Sequence, residues 1–258
     1  MSEPIQPTIN PKDLVEGLGK GLRVIEAFGD DHPRLTASEA AALAGITRTA
    51  ARRHLLSLVH YGYAATDGKH FWLAPRVLRL GQSYLGAARL PRIVQPFIQQ
   101  VSDRSGETVN VSVLDGHEVV YVARSSPPRW ISVGYQVGVR VPAHVVTPGP
   151  VILSTWSDAA VNEWVAAHEF AAFTALTVTD TAAFLAEVRQ ARQQGHWMTT
   201  GQLDAAYQGL SVPLIDRKGV CHGAMGMTVS AIAYTSAHLV ERLLPLLREA
   251  AQAMRPLL

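Results

Sequence analysis

Hydrophobic positions change their period along this chain, and the changes divide it. From Asp13, the residues Leu14, Leu18, Leu22, Val24, Ile25 and Phe28 recur at helical spacing, which predicts an amphipathic helix capped by Asp13 and stopped at Gly29. After the loop GDDHPRL, Thr36 stands three residues before Glu39, a capping-box start, and Ala40, Ala41, Leu43 and Ala44 continue a short second helix. Gly45 breaks it, and Thr47 caps a third, TRTAARRHLLSLVHYG, ending near Gly62. Two helices joined by a turn of about four residues have helix-turn-helix spacing. Residues 63–66 and 70–73 then read as short strands around Asp67-Gly68, a strong hairpin dipeptide. Three helices and a hairpin predict a winged helix.

Beyond the hairpin, PRVLRLGQSYLGAARL predicts a helix from Pro75, with Pro91 restarting the chain, and a further amphipathic helix runs to about Arg104. Alternation then replaces the helical period. VNVSVL, a turn at Asp115-Gly116 and EVVYVAR predict a hairpin, and after a break at Pro127-Pro128, WISVGYQVG predicts a third strand. Residues 148–156, 158–168 and 181–194 read as helices, HWMTTG as a strand, GLSVPLID and VCHGAMGMTVS as a second hairpin, and 236–258 as a closing helix. This mixed order argues for an α+β body with an antiparallel sheet. The expected organisation is a disordered tail over 1–12, a winged helix-turn-helix over 13–74, a linker helix over 75–90 that is also a dimer contact, and a body over 91–258.

Composition narrows the function classes. With 258 residues, 48% of them hydrophobic and 17% charged, the chain can bury a real core and fits two domains. Its single cysteine, Cys221, excludes an internal disulfide framework and a cysteine-based zinc site. No run approaches the ~18 apolar residues of a membrane span, and the N-terminal residues carry no export signal, so a cytoplasmic protein without a membrane partner is expected. Net charge is only +2, but it is unevenly placed. Residues 45–81 hold Arg48, Arg52, Arg53, Lys69, Arg76 and Arg79 against Asp67 alone, whereas 81–258 hold 13 residues of each sign. A basic module on a neutral body suggests a polyanion-binding head.

On a wheel of about 100° per residue, Ala51, Leu55 and Leu58 share one side of the third helix, while Thr49, Arg52 and Arg53 fall within an arc of roughly 40° to 140° from Arg48. Arginines and short polar residues near a helix N-terminus are what a recognition helix presents to a major groove. The plainer alternative is a solvated basic face. The neighbouring basic-tipped hairpin favours DNA, giving Thr36, Thr47, Arg48, Thr49, Arg52, Arg53, Lys69 and His70 as expected contacts to a double-stranded operator.

The body shows no GxSxG, P-loop, HExxH or strand-following GxGxxG, and no histidine pair with metal-ligand spacing, so no enzyme, metal or cofactor is expected. Cys221 and His222 are strand neighbours that point to opposite faces, so they make no catalytic pair. A ligand pocket fits better. Gly209, Gly226 and Thr228 leave volume on the sheet, and Thr147, Pro148 and Gly149 open a helix whose N-terminus can hold an anion. Arg124 and Arg140 are candidates for a bidentate carboxylate clamp, against the plain alternative of surface arginines. Tyr121, Trp130 and Trp197 read as core rather than as an aromatic ligand box. An enzyme with a nucleic-acid-binding head and a regulator whose body only dimerises are the rival readings.

The segments GLGKGLRVIEAF, LTASEAAALAGITRTAARRHLLSLVHYGY, LAPRVLRLG, VSVLDGHEVVYVAR, RVPAHVVTPGPVILS and GLSVPLIDRKGVCHGAMGMTV together resemble the IclR family of bacterial transcription regulators over nearly the whole chain. TRTAARRHLLSLVHYGY, FWLAPRVLRLG and VVYVAR are similar to its branch containing PobR, PcaU and PcaR. The resemblance implies a winged helix-turn-helix head, a GAF-like effector-binding body and a dimer or tetramer on DNA. It also implies an activator of aromatic-acid catabolism that responds to compounds such as 4-hydroxybenzoate, protocatechuate or β-ketoadipate. Carried over residue by residue, the family's effector contacts fall on Thr147, Pro148, Thr199, Gly209, Gly226 and Thr228. The chain departs from the family pattern at Pro150, His196, Gln202 and Ala206.

Overall fold

The computed structural model describes residues 9–127 and 134–258. Most of the expected tail and the 130–133 part of the expected third strand, Trp130 included, lie outside them. The chain divides into two units between Ala87 and Ala88.

In the first unit, α1 (Glu16–Glu26), α2 (Ala37–Ala44) and α3 (Arg48–His60) pack around Val24, Leu35, Ala40, Ala44, Ala51, Leu55 and Phe71. The capping box forms as the sequence dictates. Glu39 N donates to Thr36 Oγ1 at 3.3 Å, and Thr36 N donates to Glu39 Oε2 at 2.7 Å. Gly45 ends α2 with φ of 63°, a left-handed turn that glycine enters without steric cost, and Thr47 accepts from Ala50 N to start α3. Strands β1 (Leu35–Thr36), β2 (Ala64–Thr66) and β3 (His70–Leu73) form a sheet in the order β1-β3-β2. The two-residue β1 is too short to carry an alternation, so its pairing with Phe71 and His70 is legible only in three dimensions.

Two sequence expectations shift here. Asp13 ends a short 3₁₀ turn, Pro11–Asp13, capped by Asn10, and α1 begins at Glu16, with Leu14, Val15 and Leu18 left exposed. The expected helix from Pro75 is a 3₁₀ turn, Pro75–Val77, followed by α4 (Leu78–Ala87). The break falls at Ala88, which is extended, and Pro91 sits inside the first turn of α5 (Arg89–Ser105), where its missing N–H costs no helical bond.

The second unit is a six-stranded antiparallel sheet in the order β6-β5-β4-β9-β8-β7: β4 (Val109–Asp115), β5 (Glu118–Ser125), β6 (Arg140–Pro142), β7 (Trp197–Thr200), β8 (Tyr207–Ile215) and β9 (Cys221–Ser230). Residues 134–139 form no strand. The strand at the β5 edge is β6, whose Val141 pairs with Val119. One face of the sheet, with Val109, Val111, Leu210, Val212, Met225 and Met227, packs on Val94, Ile98 and Val101 of α5 and on the closing helix. That helix is not continuous. Ser236–His238 (α9) leads into a π turn, Leu239–Leu243, and then α10 (Leu244–Met254). Pro245, unable to donate to the turn before it, explains the wider turn.

The other face carries α6 (Pro148–Leu153), α7 (Asp158–Ala166) and α8 (Thr181–Gln194). An aromatic cluster lies there. The His144 Nε2–H donates to Ala171 O at 2.9 Å, which leaves His144 Nδ1 to accept from His168 Nε2 at 2.7 Å. Trp164 stacks on His168 at 4.5 Å, and His117 lies 5.1 Å from it. Burial holds the His168 imidazole down, to about 4.

A bulge in β5 sets which side chains reach each face of the sheet. Ala123 pairs with Val111 and Tyr121 with Ser112, so Val122 is the extra residue. Val122 and Ala123 both join the core under α5, and Tyr121 is turned to the face bearing α6. Arg124, opposite Asn110, is on that face too.

Candidate functional site

In the first unit, α3 presents Arg48, Thr49, Arg52 and Arg53 to solvent while Ala51 and Leu55 are buried. Among the described residues no hydrogen bond or ion pair holds the three guanidinium groups. The hairpin tip is built by Asp67, whose Oδ1 accepts from Lys69 N at 3.0 Å and His70 N at 2.7 Å. These amides hold the Asp67 carboxyl down, to about 2. Lys69 is exposed, whereas His70 turns back to within 3.4 Å of Asp67 Oδ2. Thr36 and Thr47 spend an acceptor lone pair on helix caps and keep their hydroxyl protons to donate. The face carries three exposed arginines, Arg48, Arg52 and Arg53, a chemistry suited to phosphates and guanine edges.

In the second unit, a small pocket of about 40 Å³ opens on the α6 face of the sheet. Thr199, Gly209 and Thr228 line it from three adjacent strands, in register. Tyr121 and Tyr135 form one wall, their rings stacked at 4.6 Å. Burial pushes both phenols up, Tyr135 to about 12, so both are neutral donors at ordinary pH. Val145, Val146 and Thr147 close a second side, and the loop carrying Gly201, Gln202, Leu203 and Asp204 closes a third. The loop is tied down from the segment before α8, with Thr174 Oγ1 donating to Gly201 O and Thr177 Oγ1 to Gln202 O, each at 2.6 Å.

Of the expected effector residues, the structure brings Thr147, Thr199, Gly209 and Thr228 to this pocket, and it places Pro148, Gly149, Gly226 and Arg124 outside its lining. The helix opening cannot cradle an anion with backbone N–H groups. Pro148 and Pro150 have none, Gly149 N donates to Val146 O at 3.2 Å, and Val151 N donates to Thr147 O at 3.3 Å. Gly149 is required by packing, since a Cβ there would lie 1.9 Å from Ala143 O. Nor is the glycine wall empty: Thr147 fills the space above Gly209, and Ser211 fills that above Gly226.

Arg140 is no carboxylate clamp, because Glu118 at 2.7 Å and Asp115 at 2.8 Å already hold it. Arg124 shares the pocket face through the bulge, and its guanidinium donates to Gln136 Oε1 at 2.9 Å. Among the described lining residues there is no cation, and Asp204 is an anion. Trp197 packs with Val151, Ile152 and Ala224, and Tyr121 is both core and pocket wall. His222 pairs with Asp216 at 3.0 Å, while burial pushes the Cys221 thiol up. Sequence reasoning missed Tyr135, which it set in a third strand that does not form at that position, and Gln202 and Asp204, which lie in a loop with no periodicity to aim them.

Comparison with known proteins matches both units. Residues 17–68 fit the model of the IclR helix-turn-helix domain, and residues 82–255 fit that of the bacterial transcriptional regulator IclR C-terminal domain. A p-hydroxybenzoate hydroxylase transcriptional activator from Acinetobacter baylyi is 36% identical over 96% of this chain and 94% of its own. The crystal structure of a transcriptional regulator from Rhodococcus sp. RHA1 is 33% identical, covers 94% of this chain and 97% of that one, and superposes with a TM-score of 0.80. A double mutant of the PobR inducer binding domain from Acinetobacter, crystallised with 3-hydroxybenzoic acid, is 30% identical over 66% of this chain and all of its own, with a TM-score of 0.63.

Proposed function

The chain belongs to the IclR family of bacterial transcriptional regulators, and from that premise we propose that it activates genes of aromatic-acid catabolism when a small aromatic carboxylate occupies its second unit. One pairing of features carries this reading. The head exposes an arginine face that no internal partner uses among the described residues, and the body holds a pocket walled by stacked tyrosines and threonine hydroxyls. It is a DNA-binding regulator and not an enzyme.

Arg48, Thr49, Arg52 and Arg53 are assigned to base edges and phosphates in a major groove, and Thr36, Thr47, Lys69 and His70 to the flanking phosphates. In the body, the ring lies against Tyr121 and Tyr135, and Thr147, Thr199 and Thr228 donate to the carboxylate. Arg124 is a cation on that face, and Gly209 gives Thr147 its room against the sheet. Pro148, Gly149 and Gly226 support the site through packing. A ring needs more room than 40 Å³; a cavity that takes up benzene is on the order of 150 Å³. Binding therefore favours a widened pocket, and that differential affinity is what switches a regulator.

The protein acts in the cytoplasm as a dimer or larger assembly. Leu78, Leu80 and Tyr84 leave an apolar face of α4 exposed, and two joined heads reading two half-sites multiply affinity. Calorimetry with 4-hydroxybenzoate, protocatechuate, benzoate and β-ketoadipate, paired with footprinting, tests the reading. The expected result is that one aromatic acid binds and changes operator occupancy. Turnover of any of these acids, or binding of none, refutes it.

A further inference from the structure

Gln202, buried in the pocket lining, is hydrogen-bonded to the half-buried Glu187 behind it. Gln202 Nε2 donates to Glu187 Oε1 at 3.0 Å. Gln202 lines the pocket and is only 7% exposed. Its main chain is pinned from behind by Thr177. Two acceptor atoms are left over: Gln202 Oε1 and Glu187 Oε2 are buried and have no partner among the described residues. Buried acceptors are costly to leave unmet, and they mark places where a missing donor belongs.

We propose that Glu187 is a positioning residue that decides which end of the Gln202 amide the pocket presents, and so makes the site select an effector bearing a hydroxyl donor. The inference rests on the aromatic-acid reading for its ligand. An ionised Glu187 can only accept, so it draws the amide NH₂ and leaves Oε1 for an effector hydroxyl. A protonated Glu187 can donate, and a turned-over amide then accepts from it and leaves NH₂ facing the pocket. The two protonation states thus offer opposite hydrogen-bonding faces to the same ligand.

The neighbourhood lets this carboxyl titrate without a competing charge. The adjoining α6 and β7 carry no ionisable residue. On its own helix, Arg189 and Arg192 border α7 beside Asp158, and Arg192 is paired with Asp158. Glu163 of α7 is exposed, and Asp204 on the loop acts on Tyr135. Burial therefore governs Glu187 and raises its carboxyl to about 7.

Two measurements on the full chain test the proposal. Nuclear magnetic resonance follows the Gln202 side-chain amide from pH 6 to 8. The expected shift has its midpoint near 7 and vanishes in Glu187→Gln. Calorimetry compares 4-hydroxybenzoate with benzoate at the same two pH values; carboxyl and phenol groups ordinarily titrate near about 4 and about 10, outside this window. The preference for 4-hydroxybenzoate should rise roughly three- to tenfold from pH 6 to 8, the worth of one hydrogen bond. Glu187→Gln, whose amide can either accept from Gln202 or donate to it, should show a preference that no longer changes with pH, and Glu187→Ala should lose most of it. An amide that does not respond to pH, or an equal preference in wild type and Glu187→Ala, overturns the proposal. If neither acid binds the wild type, the aromatic-acid effector fails, and the amide titration alone then decides the pair: a Glu187-dependent response upholds the positioning role and its absence overturns it.

Discussion

Thr147 Oγ1 and Ser211 Oγ lie 2.6 Å apart, one above Gly209 and the other above Gly226. The two hydroxyls occupy the room that the two glycines leave, so each glycine answers to a different neighbour. A Cβ at Gly209 would meet Thr147 at 3.1 Å, tight but at the tip of a side chain, whereas one at Gly226 would meet Ser211 Oγ at 2.1 Å and Leu210 O at 2.5 Å.

Gly209→Ala is therefore expected to fold, lose roughly 1 kcal/mol or less of stability and weaken effector binding at least tenfold by displacing Thr147, which lines the pocket. Gly226→Ala is expected to cost about 2–3 kcal/mol through overpacking against main chain. Denaturant melts and calorimetry on both variants distinguish the two; equal stability loss would refute the assignment.

Arg52→Ala and Arg53→Ala should each weaken operator binding by about 1–3 kcal/mol where a base edge is lost, with relaxed sequence choice. Where a phosphate contact is lost, the salt slope should fall by about 1. Their exposed position on α3 beside Thr49 motivates this. Footprints matching wild type at several salt concentrations in both variants would remove α3 as the recognition helix.

The histidine cluster sets an acid limit on the second unit. His168 ordinarily titrates near 6.5 when unfolded and at about 4 in the fold. Between those values the unfolded chain binds the extra proton, so stability is complete above pH 6.5, declines as pH falls, and changes no further on this account below 4. His144, also held down by burial, adds in the same direction. His168→Phe, which keeps an aromatic ring beside Trp164, should shrink the drop in melting temperature between pH 7 and 5. An undiminished drop would clear His168 of the effect.

Leu80 and Tyr84 stand one helical turn apart on the exposed face of α4. Leu80→Glu with Tyr84→Glu is expected to shift sedimentation toward monomer and to weaken operator binding more than tenfold through lost bivalency. A wild-type protein that sediments as a monomer both free and on DNA contradicts the proposed assembly.

Much of this architecture is legible along the chain because local signals agree with the fold. The Thr36–Glu39 capping box, the glycine at 45 and the Asp67-Gly68 turn each act within a few residues. What escapes depends on distant partners. The α6 opening looks like an anion site by sequence, yet its prolines and the claimed amide of Gly149 remove the donors. Gly209 and Gly226 suggest space, which Thr147 and Ser211 fill from elsewhere in the chain. Arg140 looks available until Glu118 of β5 and Asp115 at the end of β4 supply two carboxylates. Gly223, a glycine within β9, marks a close backbone approach, since a Cβ there would lie 2.3 Å from Ser112 O.

The extra residue in β5 also breaks the odd–even parity of that strand. Arg124 and Tyr121, of opposite parity, share the pocket face only because Val122 intervenes. Shortening the strand by that one residue would keep its composition and its pairing partners on one side, yet exchange the two sides for everything beyond. Either the arginine or the tyrosine would then be carried to the α5 face, into hydrocarbon. The bulge thus locks two distant chemical choices, a cation and an aromatic wall, into a single inherited unit, and neither can be repositioned along the strand without giving up the other.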